Sequence, residues 1–186
     1  MRPIVPVLLL VLATATGCSS EPELPVLSTV PEFKLTERSA REVNSRELAG
    51  KVWVADFIFT SCAGACPSMT EKMRSLQETL PEEIQLVSFT VDPARDTPEV
   101  LTQYAESYGA DPARWLFLTG EKEVLYRLSI EGFKLAVDDT MGTEIEPITH
   151  SSRFVLIDQE GGIRGYYAMG DTTELDRLAR DARSLL

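Results

Sequence analysis

The strongest constraint on the fold is an apolar run that ends just before a pair of cysteines. Residues 51–59 form a nearly continuous series of apolar, β-branched and aromatic side chains, which is typical of a central strand covered on both faces. Cys62 and Cys66 follow, and Pro67 is well placed in the first turn of a helix. That helix has an apolar face formed by Met69, Met73, Leu76 and Leu80. The chain therefore predicts a strand, a cysteine loop and a helix in succession.

The remainder of the chain continues this alternation of strands and helices. Strand patterns cover 84–91, 115–118, 133–137, 153–157 and 163–167, and the last two flank a glycine-containing turn and predict an antiparallel hairpin. Helix patterns cover 97–108 and 121–130, and a last helix is expected to be capped by Thr172 or Thr173. Alternating elements of this kind predict an α/β sandwich with a central mixed sheet flanked by helices.

The first 31 residues predict export and attachment to a membrane. Residues 1–17 contain a positive start, an apolar run and a small-residue end, which is the pattern of a signal peptide. Cys18 follows and resembles the lipid-modified cysteine of a bacterial lipobox, although Ala15 stands where leucine is usual. The alternative is an uncleaved anchor, which the prolines and the polar end of this segment disfavour. Residues 18–31 predict a flexible tether.

Composition limits the classes of function. Of the 186 residues, 44% are hydrophobic and 25% are charged, which fits one globular domain over 32–186 and excludes a disordered chain, a coiled coil or a multi-span membrane protein. The net charge of −11 argues against binding to nucleic acid, because phosphate backbones attract basic surfaces. We expect a monomer, since the sequence has no additional hydrophobic stripe.

The cysteine pair predicts thiol chemistry. Cys62 and Cys66 are four residues apart, so one helical turn brings their side chains to the same side. A helix N-terminus favours anions, so the pKa values of thiols there are expected to fall. A thiolate is both the nucleophile of disulfide exchange and a ligand for a soft metal. A static disulfide is a further alternative, although a bridge across so short a loop constrains the unfolded chain little.

His150 is the only histidine of the chain and bears on which chemistry applies. It stands just before the strand at 153–157, in a loop that can return to the edge of the sheet holding the cysteines. Two thiolates and one imidazole make a three-coordinate soft site that suits Cu(I). Structural zinc requires a fourth protein ligand, and the mature domain has no further Cys or His. Without other evidence, a single histidine is more often a surface residue than a metal ligand.

Three ordered segments resemble the landmarks of the Sco/SenC family. They are the Cys-x-x-x-Cys-Pro segment within 57–69, the Val-Asp-Pro-x-x-Asp-Thr-Pro segment at 91–98, and Thr149-His150-Ser151 followed by a strand ending in Ile157-Asp158. The residue before the histidine and the Ala-Gly-Ala centre of the cysteine loop depart from the family's usual residues. These departures leave the ligands in place and concern the docking surface.

The resemblance implies a thioredoxin-like fold and copper binding by Cys62, Cys66 and His150, with Cu(I) as the ion and Cu(II) as a further state. Family members are tethered outside the cytoplasmic membrane or its mitochondrial equivalent, and they help to load the binuclear copper centre of cytochrome c oxidase subunit II. Many also reduce the cysteines of that subunit. The implied protein is therefore exported and lipid-anchored on the extracytoplasmic side. Its implied partners are that subunit or another exported copper protein, together with a thiol reductant.

Four further residues are secondary candidates. Asp56 lies among apolar neighbours six residues before Cys62, an offset similar to that of the buried Asp of thioredoxins. Burial raises a carboxyl pKa, so Asp56 is a candidate for proton exchange with a thiol, the alternative being a partnered acid at the sheet edge. Asp92 is either an outer group of the metal loop or a turn former. Met69 and Met73 have helical spacing and are predicted to be core residues rather than copper ligands.

A copper-binding assembly factor is the leading functional hypothesis. The main alternative is a membrane-tethered thiol–disulfide oxidoreductase without a copper-transfer role, in which Cys62 attacks a target disulfide and Cys66 resolves the intermediate. A peroxidase on this fold is disfavoured, because Phe59 and Ala55 replace the Thr and Pro of peroxiredoxins. A redox sensor stays open. The acidic chain predicts a partner with basic patches.

Overall fold

The computed structural model describes residues 23–140 and 148–186. The strands are β1 (Ser28–Thr29), β2 (Lys34–Glu37), β3 (Glu42–Asn44), β4 (Trp53–Ile58), β5 (Gln85–Thr90), β6 (Trp115–Thr119), β7 (Val137–Asp138), β8 (Thr149–His150), β9 (Arg153–Ile157) and β10 (Gly162–Ala168). The helices are α1 (Ala65–Thr79), α2 (Pro98–Ser107), α3 (Lys122–Arg127) and α4 (Thr172–Ser184). The predicted signal peptide at 1–17 and Cys18 lie outside the described residues.

A mixed sheet organises the domain, with the strand order β1-β10-β9-β4-β5-β6-β2-β3. The central strands β4, β5 and β6 are parallel, and β9 and β2 add to them antiparallel. Every residue of β4 and β5 is buried, in agreement with the apolar runs that predicted them. The predicted fold class, a mixed central sheet flanked by helices, is confirmed.

Helices and aromatic side chains cover the two faces of this sheet. The connection from β4 to β5 runs through α1, which buries the predicted core residues Met69 and Met73 completely. Phe57 stacks on Phe89 with ring centroids 5.0 Å apart, and Phe133 packs edge-on against Phe57 at 5.2 Å. Because side chains alternate along a strand, residues next to Phe57 and Phe89 point to the opposite face.

The strand predicted over 133–137 is shorter in the structure, and only its end pairs with β8. The reason is that the preceding turn uses the backbone donors of this segment. The N–H of Phe133 bonds the carbonyl of Leu128, and the N–H of Leu135 bonds that of Ser129. Between them Lys134 has φ +56°, which interrupts an extended conformation.

The predicted caps of the last helix, Thr172 and Thr173, are wrong by one or two residues. The cap is Asp171, whose side chain accepts a hydrogen bond from the Thr173 N–H at 2.8 Å. The Thr173 hydroxyl donates to the same carboxylate at 2.7 Å. An ionised Asp is also favoured by the helix dipole, which explains why it occupies the cap.

The end of the predicted tether lies along the sheet rather than free of it. Ser28 and Thr29 pair with β10, and the backbone N–H groups of Leu27 and Val30 bond the carbonyls of Ile163 and Gly161. The predicted flexible segment therefore does not extend to Pro31. Within 23–140 and 148–186, none of the helices combines the length and the apolar character that a membrane crossing requires.

Candidate metal centre

The cysteine loop connects β4 to α1 and holds both thiols inside the protein. Cys66 is the second residue of α1 and is fully buried, whereas Cys62 lies in the loop and is 8% exposed. Both are free thiols rather than a disulfide. The N–H of Cys62 donates to the Phe59 carbonyl at 3.2 Å, which closes the loop just before the helix begins. Cys62 is thus the more accessible member of the pair, which fits the attacking role that the oxidoreductase hypothesis gives it.

His150 reaches the cysteines from β8, which is held by its pairing with β7. Its Nε2 lies 3.1 Å from the Cys66 Sγ, and its Nδ1 lies 3.2 Å from the Ser151 carbonyl oxygen. Since a carbonyl can only accept a hydrogen bond, this contact favours the tautomer with the proton on Nδ1, in which the Nε2 lone pair faces the Cys66 thiol. Phe59 packs edge-on against the imidazole, with centroids 5.6 Å apart.

Three ligand atoms therefore converge, and those of Cys62, Cys66 and His150 all lie within 4.8 Å of one another. A metal about 2.3 Å from each of three donors would hold those donors about 4 Å apart, so the cluster needs only small side-chain movements to bind an ion. No other cluster of three or more such side chains occurs in the described part of the chain. Two sulfurs and one nitrogen, with both sulfurs buried, suit a soft ion of low coordination number, which is the chemistry of Cu(I).

The expected lowering of both thiol pKa values is wrong for Cys66. Burial raises the pKa of the Cys66 thiol, and its hydrogen bond with the Cys62 thiol raises it further. The helix N-terminus does not offset the loss of water around a side chain with no exposed surface. Cys66 is therefore a thiol in the reduced, metal-free protein, and a metal must displace its proton on binding.

Asp96 fixes the start of the cysteine loop, and the sequence did not single it out. Its buried carboxylate accepts hydrogen bonds from the Thr60 N–H at 3.1 Å, from the Thr60 hydroxyl at 2.5 Å and from the Thr90 hydroxyl at 2.5 Å. Burial raises the pKa of the Asp96 carboxyl, and the hydrogen bonds from Thr60 and Thr90 oppose that shift. These hydrogen bonds join the cysteine loop to the end of β5. The only feature of the sequence that pointed to Asp96 was its position within the 91–98 segment.

Asp92 is not part of the cluster formed by Cys62, Cys66 and His150. Its N–H donates to the Thr90 hydroxyl at 2.9 Å, and its carbonyl accepts from the N–H groups of Arg95 and Asp96. Among the described residues no hydrogen bond reaches its carboxylate. Its contacts are those of a turn former, which was one of the two predicted roles.

Replacement of Asp96 by alanine is expected to destabilise the protein by about 2 kcal/mol, because three donors lose a buried acceptor. Replacement of Asp92 by alanine is the matched control, and it should cost less than about 0.5 kcal/mol. Urea unfolding of the two reduced variants beside the wild type measures both values. Equal costs would show that Asp96 does not hold the loop.

Asp56 is completely buried on the sheet face opposite Phe57. Its Oδ1 accepts a hydrogen bond from the Ser88 hydroxyl at 2.6 Å, and the Trp115 indole N–H donates to Ser88 at 2.9 Å. Its Oδ2 has no hydrogen-bond partner. Burial raises the pKa of Asp56 to about 7, against the lowering effect of Ser88. Its charge also raises the pKa of Cys66, so the two groups interact electrostatically, while proton exchange between Asp56 and a thiol stays a prediction.

A thioredoxin-like sheet whose central strand leads into two thiols, with a histidine held against them, defines a thiol protein equipped to take a soft metal ion. The chain belongs to the SCO1/SenC family, whose model matches residues 22–186. The predicted family is confirmed by this match and by the relatives.

Known relatives and solved structures agree with this assignment. A protein of Stutzerimonas stutzeri named as a putative copper-binding protein is 34% identical over 150 residues, which span 77% of this chain and 71% of that protein. A SCO1/SenC family lipoprotein from Bacillus anthracis superposes with a TM-score of 0.78 at 35% identity, covering 87% of this chain and 96% of the other. The third is BsSco, described as having a disulfide switch and as a member of the Sco family of cytochrome c oxidase assembly proteins. It superposes with a TM-score of 0.76 at 32% identity and covers 87% and 95%.

Proposed function

We propose that this protein binds one Cu(I) ion between Cys62, Cys66 and His150 and delivers it to the binuclear copper site of cytochrome c oxidase or to another exported copper protein. The observation that carries the proposal is the convergence of two thiols and one imidazole within 4.8 Å. The putative copper-binding relative and the oxidase assembly protein BsSco support the metal and the recipient. Copper is here the cargo, and it leaves when the donors of a recipient displace His150 or one thiolate in steps.

The proposed location is the extracytoplasmic side of the bacterial cell membrane. Support comes from the signal pattern of residues 1–17, the lipobox-like Cys18 and the likeness to a lipoprotein of the same family. A lipid anchor at Cys18 would keep the copper site near membrane-bound recipients. The same proposal includes two predictions from the sequence. The protein is a monomer, and a thiol reductant is one of its partners.

The role of His150 provides the test. Replacement of His150 by alanine is expected to weaken Cu(I) binding about 100-fold, because loss of a direct ligand should cost at least as much as the 10- to 100-fold known for groups around a metal site. The measurement is an anaerobic competition titration of reduced protein against a chromophoric Cu(I) chelator. The control is Thr149→Ala, a change in the same strand that removes none of the three proposed copper ligands. It should retain wild-type affinity for Cu(I). Wild-type affinity in the His150 variant would contradict the proposal.

A thiol–disulfide reductase is the second candidate, favoured by the unequal exposure of the two thiols. Cys62 is 8% exposed and can meet a target disulfide, whereas the fully buried Cys66 is placed to resolve the mixed disulfide. The disulfide switch described for BsSco supports redox activity of such a pair. This activity should persist in the His150→Ala variant, so the same protein separates the two functions.

A further inference from the structure

A cleft lined by two cations lies beside His150, and neither thiol is among its described lining residues. Its volume is about 390 Å³, and its lining includes Lys134, Thr149, His150, Arg153 and Tyr166. Thr149 and His150 also line the smaller cavity in front of Cys62. A molecule seated in this cleft would therefore lie next to the imidazole that a recipient must displace.

The described lining of the cleft is positive, whereas the whole chain is negative. The chain has a net charge of −11, yet the described residues that line the cleft include two cations and no acid. Lys134 and Arg153 are both exposed, and neither forms an ion pair within the described part of the chain. Among the described residues, the hydrogen bond of the Lys134 ammonium goes to the Glu131 carbonyl, at 2.6 Å. Both cations are thus available to an incoming anion.

The backbone holds Lys134 in place at this cleft. Its φ of +56° is one of two positive values at non-glycine residues among the residues described. Its neighbours Phe133 and Leu135 are buried, and both use their N–H groups in the turn after α3. Such a conformation is uncommon for a side-chain-bearing residue and persists where the surroundings impose it. The lysine is therefore presented from a fixed point rather than from a loose loop.

The donors in the cleft suit carboxylates. Arg153 offers a planar guanidinium that can bind a carboxylate with two hydrogen bonds, and Lys134 adds a compact positive charge. The half-buried Tyr166 adds a hydroxyl and an aromatic wall. Ions screen the field of distant charges beyond about 8 Å at physiological salt, so contact with these two cations outweighs the remote acidic surface once a partner has arrived.

We propose that this cleft docks an acidic segment of the recipient copper protein, so that carboxylates of the partner bind Lys134 and Arg153 while its metal-receiving side chains face His150. The proposal rests on the proposed function and defines the chemistry of the partner. It differs from the expectation of a basic partner, which considered only the total charge.

Three acceptor peptides that share one Cys-x-x-x-Cys dithiol and differ only in their flanks provide the test. The flanks are glutamate, serine or lysine. Anaerobic stopped-flow measurement of Cu(I) transfer from the loaded protein is expected to be about tenfold faster to the glutamate peptide than to the serine peptide, from two exposed charge pairs. The lysine peptide should be slowest. A preference for the lysine peptide would show that total charge governs docking and would overturn the proposal.

Two double variants with the same net charge complete the test. K134E/R153E should reverse the preference, whereas K72E/R180E, which alters α1 and α4 away from the cleft, should keep it. A third variant, K134Q/R153Q, removes the two positive charges without introducing negative ones. It should abolish the preference for the glutamate peptide. Equal behaviour of the two charge-reversed variants would contradict a local site.

A metal-free readout separates this proposal from the proposed function. Binding of a glutamate peptide with serines in place of both cysteines is followed through the backbone amide shifts of Ser151 and Tyr166. Shifts in the wild type that are lost in K134Q/R153Q support docking even if copper transfer fails. If no shifts appear while Cu(I) still binds, the cleft is not the docking site, and the proposed copper site is unaffected by that result.

Discussion

Oxidation of Cys62 and Cys66 to a disulfide is expected to abolish Cu(I) binding at micromolar protein. The two sulfurs already lie within 4.8 Å of each other, so modest movement of the cysteine loop brings them to bonding distance of about 2 Å. A disulfide sulfur has no thiolate charge and is a poor ligand for the metal. Loss of two of three donors, each contributing at least about 100-fold, predicts a decrease in affinity on the order of 10⁴-fold.

An anaerobic titration of reduced and oxidised protein with Cu(I) measures this effect. The reduced form should take up one ion per chain, and the oxidised form none under the same competition. A Cys62→Ser, Cys66→Ser double variant is the control, because its weak binding should not change with the oxidant. Equal affinity of the two redox forms would show that the cysteines are not the ligands. If the prediction holds, the redox potential around the protein controls its copper load.

The central strands of the fold were predictable because a strand that is buried on both faces is a continuous run of apolar residues. β4 and β5 are covered on both faces, so almost every residue in them is apolar and the pattern is clear. β1 and β3 have two and three residues, and they exist because a neighbouring strand offers free backbone groups. Such pairing depends on tertiary structure and leaves little trace in the local sequence.

The members of the candidate metal site were predictable from residue type, whereas the pKa of Cys66 was not. The chain has one histidine, and the two cysteines other than Cys18 follow the central strand, so few combinations were available. The pKa of Cys66 depends on how completely the loop excludes water, which spacing does not reveal. The role of Asp96 depends on its distance from Thr60, a residue 36 positions earlier in the chain.

The buried carboxyl of Asp56 is expected to make the folding stability of the protein depend strongly on pH. Its pKa is raised to about 7 in the folded protein from 3.8, because burial removes water from the ionised form. Between these two pH values the unfolded chain has lost this proton while the folded protein keeps it, so stability falls as pH rises. The difference corresponds to about 4 kcal/mol of folding free energy, lost progressively from about pH 4 to above pH 7.

Replacement of Asp56 by asparagine should remove this pH dependence. The variant loses the titrating group, so its free energy of unfolding relative to the wild type should rise by about 4 kcal/mol between pH 4 and pH 8. Urea unfolding of the reduced, metal-free proteins across that range gives the difference directly. The shape of the difference curve is the readout, since a simple packing defect would shift stability equally at every pH.

Ser88→Ala provides an independent check with a defined direction. The Ser88 hydroxyl donates to Asp56 and lowers its pKa, so loss of the hydroxyl should raise the folded-state pKa further. The fall in stability should still begin near the unfolded value of 3.8 but should continue to higher pH. The difference curve of Asp56→Asn in the Ser88→Ala background should therefore keep its onset, level off at a higher pH and reach a larger total change. A wild-type curve parallel to that of Asp56→Asn from pH 4 to pH 8 would mean that Asp56 ionises normally inside the sheet. Burial would then not control its charge, and the predicted proton exchange between Asp56 and a thiol would lose its basis.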